Sequence, residues 1–328
     1  MQIQEEHPKM SQTLLRIAAV LLALSPVPVL AQYPDRPIKM VVPYAAGGGA
    51  DSTARIVGQQ MSQTLGQQIV IENRPGAGGV IGADFVAKAP ADGYTLLFDA
   101  SAFAANPTLR KLPFDPKADF IPVSLVVIAP NILVASPKAP YKTVAELLDY
   151  ARKNPEKASY ASAGAGSASH LAGEALNRAA DLNIVHVPYR GGAPALNDVI
   201  GDRVSLYFGN TASTLGQVTS GSVQALAIGS PKRSPLLPEV PTLIESGLKD
   251  FETQEWNGLF APKGTPPAIV ERLSREIVAA VANPEIKAKL EKLGLEPVGN
   301  KPDAFARFLD DEIGRMAATV KSRNIKVD

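Results

Sequence analysis

Short apolar runs alternate along the chain with longer segments whose apolar positions recur at helical spacing. The short runs predict strands at Ile38–Val42, Gln68–Glu72, Thr95–Asp99, Val123–Val127, Ile132–Ser136, Ala158–Ala163, Ile184–Pro188, Val204–Phe208 and Gln224–Ile228. Between them the pattern is helical. Asp51–Leu65 places Thr53, Ile56, Val57, Met61 and Leu65 on one face and meets Gly66, a residue suited to closing a helix. Thr143-Val144-Ala145-Glu146 is a capping box whose helix should end near Lys153, before Asn154-Pro155. Pro266–Ala282, Glu285–Leu293 and Pro302–Arg323 make the C-terminal part helix-rich. Strands alternating with helices predict an α/β protein with parallel, doubly wound sheets.

Two breaks in the alternation predict two lobes. Two apolar runs stand almost back to back around Ala129-Pro130-Asn131, and the proline-rich stretch Pro231–Pro241 interrupts the pattern again. Residues 32–131 with 236–328 are therefore expected to form one discontinuous lobe and 132–235 the other. Two crossings imply a hinge, and a hinge implies a cleft.

The first 31 residues differ from the rest. Arg16 precedes an apolar run from Ile17 to Leu24, Ser25-Pro26-Val27-Pro28 breaks it, and Val29-Leu30-Ala31 supplies the small residues of a cleavage site after Ala31. This pattern predicts a secretory signal peptide and a periplasmic product. Glu5 and Glu6 are foreign to a basic leader, which makes Met10 as good a start as Met1. The chain has no cysteine, which leaves no thiol for acylation or disulfides. No later apolar run reaches about 18 residues, so no membrane-inserted segment is expected. With 33 basic and 32 acidic side chains, the net charge of +1 excludes the basic footprint of a nucleic-acid binder.

The candidate site follows from glycines at strand exits. Tyr44-Ala45-Ala46-Gly47-Gly48-Gly49-Ala50-Asp51 leaves the first strand and opens a helix, where exposed N–H groups can hold an anion; Tyr44, Ala46, Gly47, Gly48 and Asp51 are the candidates. Ser162-Ala163-Gly164-Ala165-Gly166-Ser167-Ala168-Ser169-His170 repeats the arrangement in the other lobe, offering Ser162, Gly164, Ser167, Ser169 and His170. Ser101, Arg190 and Asn210, each near a strand exit, complete the set; Arg190 can pair bidentately with a second carboxylate. A helix terminus contributes about 0.3–1 kcal/mol toward an anion, up to about 2 when partly buried. A micromolar ligand needs about −8 kcal/mol, so direct hydrogen bonds, packing and closure must supply the remainder.

Enzyme chemistry is poorly served. His170 and His186 match no zinc spacing, and Ser167 or Ser169 beside His170 lacks a Gly-x-Ser-x-Gly elbow. Gly76-Ala77-Gly78-Gly79-Val80-Ile81-Gly82 is set off from its strand by Asn73-Arg74-Pro75, which spoils a dinucleotide turn and predicts a structural loop. No catalytic residue, metal or cofactor is expected.

Tyr33–Ile38, the Val42–Asp51 loop, Glu72–Gly79, Asp92–Leu96, Tyr160–Gly164, His186–Pro194, Ala225–Ala227 and Gly258–Pro262 together resemble the periplasmic receptors of tripartite tricarboxylate transporters, the Bug or TctC type. The resemblance spans essentially the whole mature chain. It implies a two-lobed type II periplasmic-binding-protein fold with a ligand cleft between the lobes, acting as a monomer that hands a small carboxylate to a membrane permease. A sensor kinase in place of the permease is the alternative. The loops matched by Tyr44–Asp51 and Ser162–His170 hold a carboxyl group in that family, partly through ordered water. Its ligands range over citrate-like acids, dicarboxylates, amino acids and aromatic acids. Many relatives carry an aspartate where this chain has Gly209, and its loss points to a carboxylate without a charged amine. Phe103 is expected to be a core contact rather than a pocket wall.

Overall fold

In the computed structural model, which describes residues 33–322 and 325–327, the apolar runs become strands β1 (Ile38–Val42), β2 (Ile69–Asn73), β3 (Thr95–Ala100), β4 (Phe120–Ala135), β5 (Ser159–Ser162), β6 (Val185–Pro188), β7 (Leu206–Asn210), β8 (Gln224–Ile228), β9 (Gln254–Pro262) and β10 (Glu296–Pro297). The helices are α1 (Gly49–Leu65), α2 (Val80–Ala87), α3 (Ala102–Leu109), α4 (Val144–Lys153), α5 (Ala168–Ala180), α6 (Gly192–Ile200), α7 (Thr211–Thr219), α8 (Pro267–Ala282), α9 (Pro284–Lys292) and α10 (Pro302–Ser322). The expected signal peptide lies outside the described residues.

Local chemistry explains the helix ends. Thr143 and Glu146 form the reciprocal capping box of α4, and α1 buries Thr53, Val57, Met61 and Leu65 before Gly66 turns the chain at φ +69°. The Gly76–Gly82 segment is a short 3₁₀ turn (Ala77–Gly79) running into α2, not a dinucleotide loop.

Three sequence expectations are corrected. The runs Val123–Val127 and Ile132–Ser136 are one strand, β4, because the backbone between them stays held: the Asn131 N–H donates to the Thr253 carbonyl at 3.2 Å and the Asn131 carbonyl accepts from Gly229 at 2.7 Å. Strand β9 was not foreseen, since Gln254, Glu255, Asn257 and Gly258 hide its apolar residues, yet it is central. The sheet is also mixed: β1 pairs in parallel with β2 and β3, while β9 runs antiparallel to both β3 and β4.

Strand β4 changes partners along its length. Phe120–Pro130 pairs with β9, completing the order β2-β1-β3-β9-β4, with β10 on the other edge. Asn131–Ala135 pairs with β7 on one edge and β8 on the other, leading to β5 and β6. Side chains in the second half-sheet alternate between two cores, as a pleated strand requires. Leu133, Leu206 and Phe208 pack with helices α4 and α5, whereas Ile132, Val134 and Tyr207 pack with Leu196 and Val199 of α6.

The first half-sheet carries an aromatic core. Phe103 lies 4.5 Å from Phe260, 5.3 Å from Phe120 and 6.3 Å from Phe114, ring centre to ring centre, and is 2% exposed. It is a core residue and does not line the cavity described below. Phe103→Ala is expected to cost about 3–5 kcal/mol in a urea-unfolding measurement while leaving ligand affinity within about threefold.

Candidate functional site

Parallel strands deliver their loops to one end of a sheet, and in this fold those loops open helices there. A small cavity, about 20 Å³, is lined by Tyr44, Gly48, Gly49, Ala50, Ala100, Ser101, Ala102, Ala163, Ser167, Ala168, Gly192, Tyr207, Asn210 and Glu255. Nine of the fourteen stand at helix starts: Gly48–Ala50 open α1, Ser101 and Ala102 open α3, Ser167 and Ala168 open α5, Gly192 opens α6 and Asn210 precedes α7. Side-chain caps satisfy α5, where Ser167 Oγ accepts from His170 N–H, and α7, where Asn210 Oδ1 accepts from Ala212 N–H. Helices α1, α3 and α6 have no side-chain cap, which leaves their first N–H groups for a ligand.

The walls come from both half-sheets, and the lips touch. Arg110 Nη2 donates to the Ala165 carbonyl at 2.8 Å, Ala45 N–H to the Arg190 carbonyl at 2.9 Å, and Asn210 Nδ2 to Glu255 Oε1 at 3.0 Å. A Cβ at Gly78 would overlap the Ala165 carbonyl oxygen, and one at Gly49 would overlap the Asn210 carboxamide. Glycine is required at both positions because the two sides approach so closely.

The structure sorts the candidates into two groups. Tyr44, Gly48, Ser101, Ser167 and Asn210 line the cavity. Ala46, Gly47, Asp51, Ser162, Gly164, Ser169, His170 and Arg190 do not, and most of these shape the loops instead. Asp51 Oδ2 accepts from Gly47 N–H and from Arg55 Nε, both at 2.9 Å, and Oδ1 accepts from Asn73 Nδ2 at 2.9 Å. Against the desolvation of its burial, the bonds from Arg55, Gly47 and Asn73 hold this carboxyl below its usual range. Ser169 Oγ accepts from Ala163 N–H at 2.9 Å, and His170 Nδ1 accepts from Gly166 N–H at 3.0 Å. The Arg190 and Ala46 side chains are exposed.

Ser162 Oγ and His186 Nε2 are 2.7 Å apart, the spacing of a nucleophile and its base. The hydroxyl is fully buried away from the cavity and also accepts from Gly164 N–H at 3.2 Å, so it braces the loop. His170 and His186 stack with ring centres 4.0 Å apart. Desolvation, then the neighbouring His186 and Arg110, push His170 down to about 3, and desolvation pushes His186 down to about 4.

Sequence reading missed Glu255 and Asp99. Glu255 lines the cavity from β9, where it keeps some contact with the open space but is otherwise surrounded by protein; desolvation raises it to about 7 against the bonds from Asn210 and Asn257. Asp99 is 1% exposed, accepts from Tyr44 Oη at 2.8 Å, and is likewise raised to about 7, chiefly by desolvation. No motif announced either residue, because β9 itself carried no strand signal. Among the described residues no group of His, Asp and Glu is placed to hold a metal.

Residues 53–325 match the family described as the tripartite tricarboxylate transporter family receptor. The structure is similar to that of the periplasmic binding protein BugD, at TM-score 0.87 and 41% identity over 90% of this chain and 99% of that one. It is similar to an R. palustris protein solved with adipate, at TM-score 0.87 and 35% identity over 90% and 99% of the two chains. It also resembles MatC from Rhodopseudomonas palustris with bound malate, at TM-score 0.83 and 34% identity over 88% and 100%. The fold is the two-lobed periplasmic-binding type that the sequence motifs implied.

The stacked histidines set a pH dependence. Both are neutral in the folded protein down to about 4 or 3, whereas histidines in an unfolded chain titrate near 6.5. The unfolded state therefore takes up protons first as pH falls, and stability present above about 6.5 is lost toward pH 4. Asp99 and Glu255, raised to about 7, act in the opposite sense, favouring the fold as pH drops. The difference between wild type and His186→Gln isolates the histidine contribution: urea midpoints at pH 7 and pH 5 should show the variant losing less stability on acidification.

Proposed function

The chain belongs to the tripartite tricarboxylate transporter receptor family, and on that premise we propose that it is a periplasmic solute receptor that captures a small carboxylate by closing two lobes over it and delivers it to a membrane permease. It binds without chemistry and acts as a monomer. The observation that carries this reading is a cavity walled by both half-sheets, on which the starts of α1, α3, α5, α6 and α7 converge. Each such end holds about half a positive charge, the field an anionic group requires. Adipate and malate in the related structures are ligands of that kind. Export through the signal peptide expected at residues 1–31 places the receptor beside a membrane partner.

The hinge is assigned to the point where β4 changes partners. Asn131, Gly229 and Thr253 exchange backbone hydrogen bonds there, so the outgoing strand and the returning chain cross side by side. Residues 36–131 and those from about 254 onward rotate as one lobe against 132–252, because Leu243, Leu248 and Phe251 share a core with Leu133 and Phe208, which puts the return crossing near Thr253 rather than at 236. Bending one extended strand and one adjacent loop disturbs few bonds, which keeps opening inexpensive. The contacts from Arg110 to Ala165 and from Ala45 to Arg190 belong to the closed state.

Mature protein freed of bound solute is expected to gain about 2.7 kcal/mol of stability from a carboxylate at 100 times its Kd, read as a rise in melting temperature, and to contract in solution scattering. A panel of mono-, di- and aromatic carboxylates that leaves both readings unmoved would remove the proposal's support. Arg110→Ala breaks a charge-assisted bond made only on closure; the same ligand should bind about 10- to 100-fold more weakly.

A further inference from the structure

Among the described residues Glu255 is the only acidic side chain lining the cavity, and both of its side-chain donors meet the same oxygen. Oε1 accepts from Asn210 Nδ2 at 3.0 Å and Asn257 Nδ2 at 3.4 Å. Two further polar atoms nearby have no partner: Asn257 Oδ1, on a fully buried residue, and the hydroxyl of Ser101, 2% exposed and lining the cavity. The titratable groups that face Glu255 are Tyr44, Asp99 and Tyr207, from three other elements, and none is a cation. Arg110 is engaged with the Ala77 and Ala165 carbonyls, and His170 and His186 are neutral.

We infer that Glu255 determines specificity by receiving a cationic nitrogen of the ligand, so that the cavity selects a carboxylate bearing an ammonium group over the same acid without one. This rests on the receptor reading above. The uncapped starts of α1, α3 and α6 favour one ligand carboxylate, and the carboxylates of Glu255 and Asp99 oppose that field, which leaves a second anionic group of the ligand uncompensated. An ammonium against Glu255 closes that deficit and uses acceptors that otherwise stay unsatisfied. The absence of an acid at Gly209, which by itself points to a ligand without an amine, is thus made good from β9: Glu255 pairs with Ala129 of β4, and Asn210, the neighbour of Gly209, bonds the Glu255 carboxylate directly.

The test titrates ligand-free protein with matched pairs, aspartate against succinate and glutamate against glutarate, by calorimetry between pH 6 and pH 8. The amino member of at least one pair should bind about tenfold or more tightly than its partner. Its affinity should rise about tenfold from pH 6 to pH 8 as Glu255, near 7, ionises. Asp99, also near 7, acts in the same direction, while Tyr44 and Tyr207, raised by desolvation, stay neutral. Glu255→Gln should weaken the amino acid about 10- to 100-fold and tighten the plain diacid. A plain diacid that binds as tightly as its amino partner overturns this inference and leaves the receptor reading intact. Silence from both members of every pair also overturns this inference, and the receptor reading falls only if the wider carboxylate panel is silent too.

Discussion

An α-helix cannot satisfy its own first N–H groups, and in this protein five helix starts meet at one cavity, three of them without a side-chain cap. The rest of the architecture follows from gathering those ends. Parallel strands β1, β5 and β6 must finish at the same edge for their loops to open helices there, and β3 and β7 deliver Ser101 and Asn210 to the same place. The loops must be small, because the two sides approach until Gly49 meets Asn210 and Gly78 meets Ala165. A larger residue at either position would hold the lips apart and let water satisfy the groups a ligand should find.

The side chains around these loops divide their labour accordingly. Asp51, Ser162, Ser169, His170 and His186 spend their hydrogen bonds on loop backbone and on neighbouring side chains such as Arg55, Asn73 and Ser167, which fixes the N–H groups in place without occupying the cavity. Two carboxyls, Asp99 and Glu255, sit close by, and the cost of desolvating them is seen in their raised proton affinity. An all-anionic cavity would not bind an acid, and an all-positive one would not discriminate among acids. Strand β4 meanwhile joins the halves: it is long enough to serve both half-sheets and narrow enough at Asn131 to bend between them.

Much was legible from the sequence because its causes are local. Alternation of apolar runs with helical spacing reflects the two side-chain periods and gave the elements their order. The capping box at Thr143 and the closing glycine at Gly66 are satisfied within a few residues of themselves. An anion-binding role for the Gly47–Gly49 and Gly164–Ser167 loops could be proposed for the same reason, since a glycine-rich strand exit opening a helix carries unpaired donors. The runs around Pro130 misled only in part: they marked where β4 changes partners but not that it stays one strand.

Only the tertiary structure decided which of those donors face a ligand and what faces them. Thirteen candidate residues were readable as polar or small groups at strand exits; that Gly48 and Ser101 line the cavity while Gly47 and Ser169 do not depends on contacts between segments distant in sequence. Glu255 is the sharpest case. Its strand has a central place because β3 and β4 flank it, and its carboxyl reaches the cavity because Asn210, 45 residues away, turns an amide toward it. Burial, proton affinity and charge balance are properties of everything that surrounds a group. A linear pattern of residue types specifies the helix ends, but it holds no record of what the folded chain places opposite them.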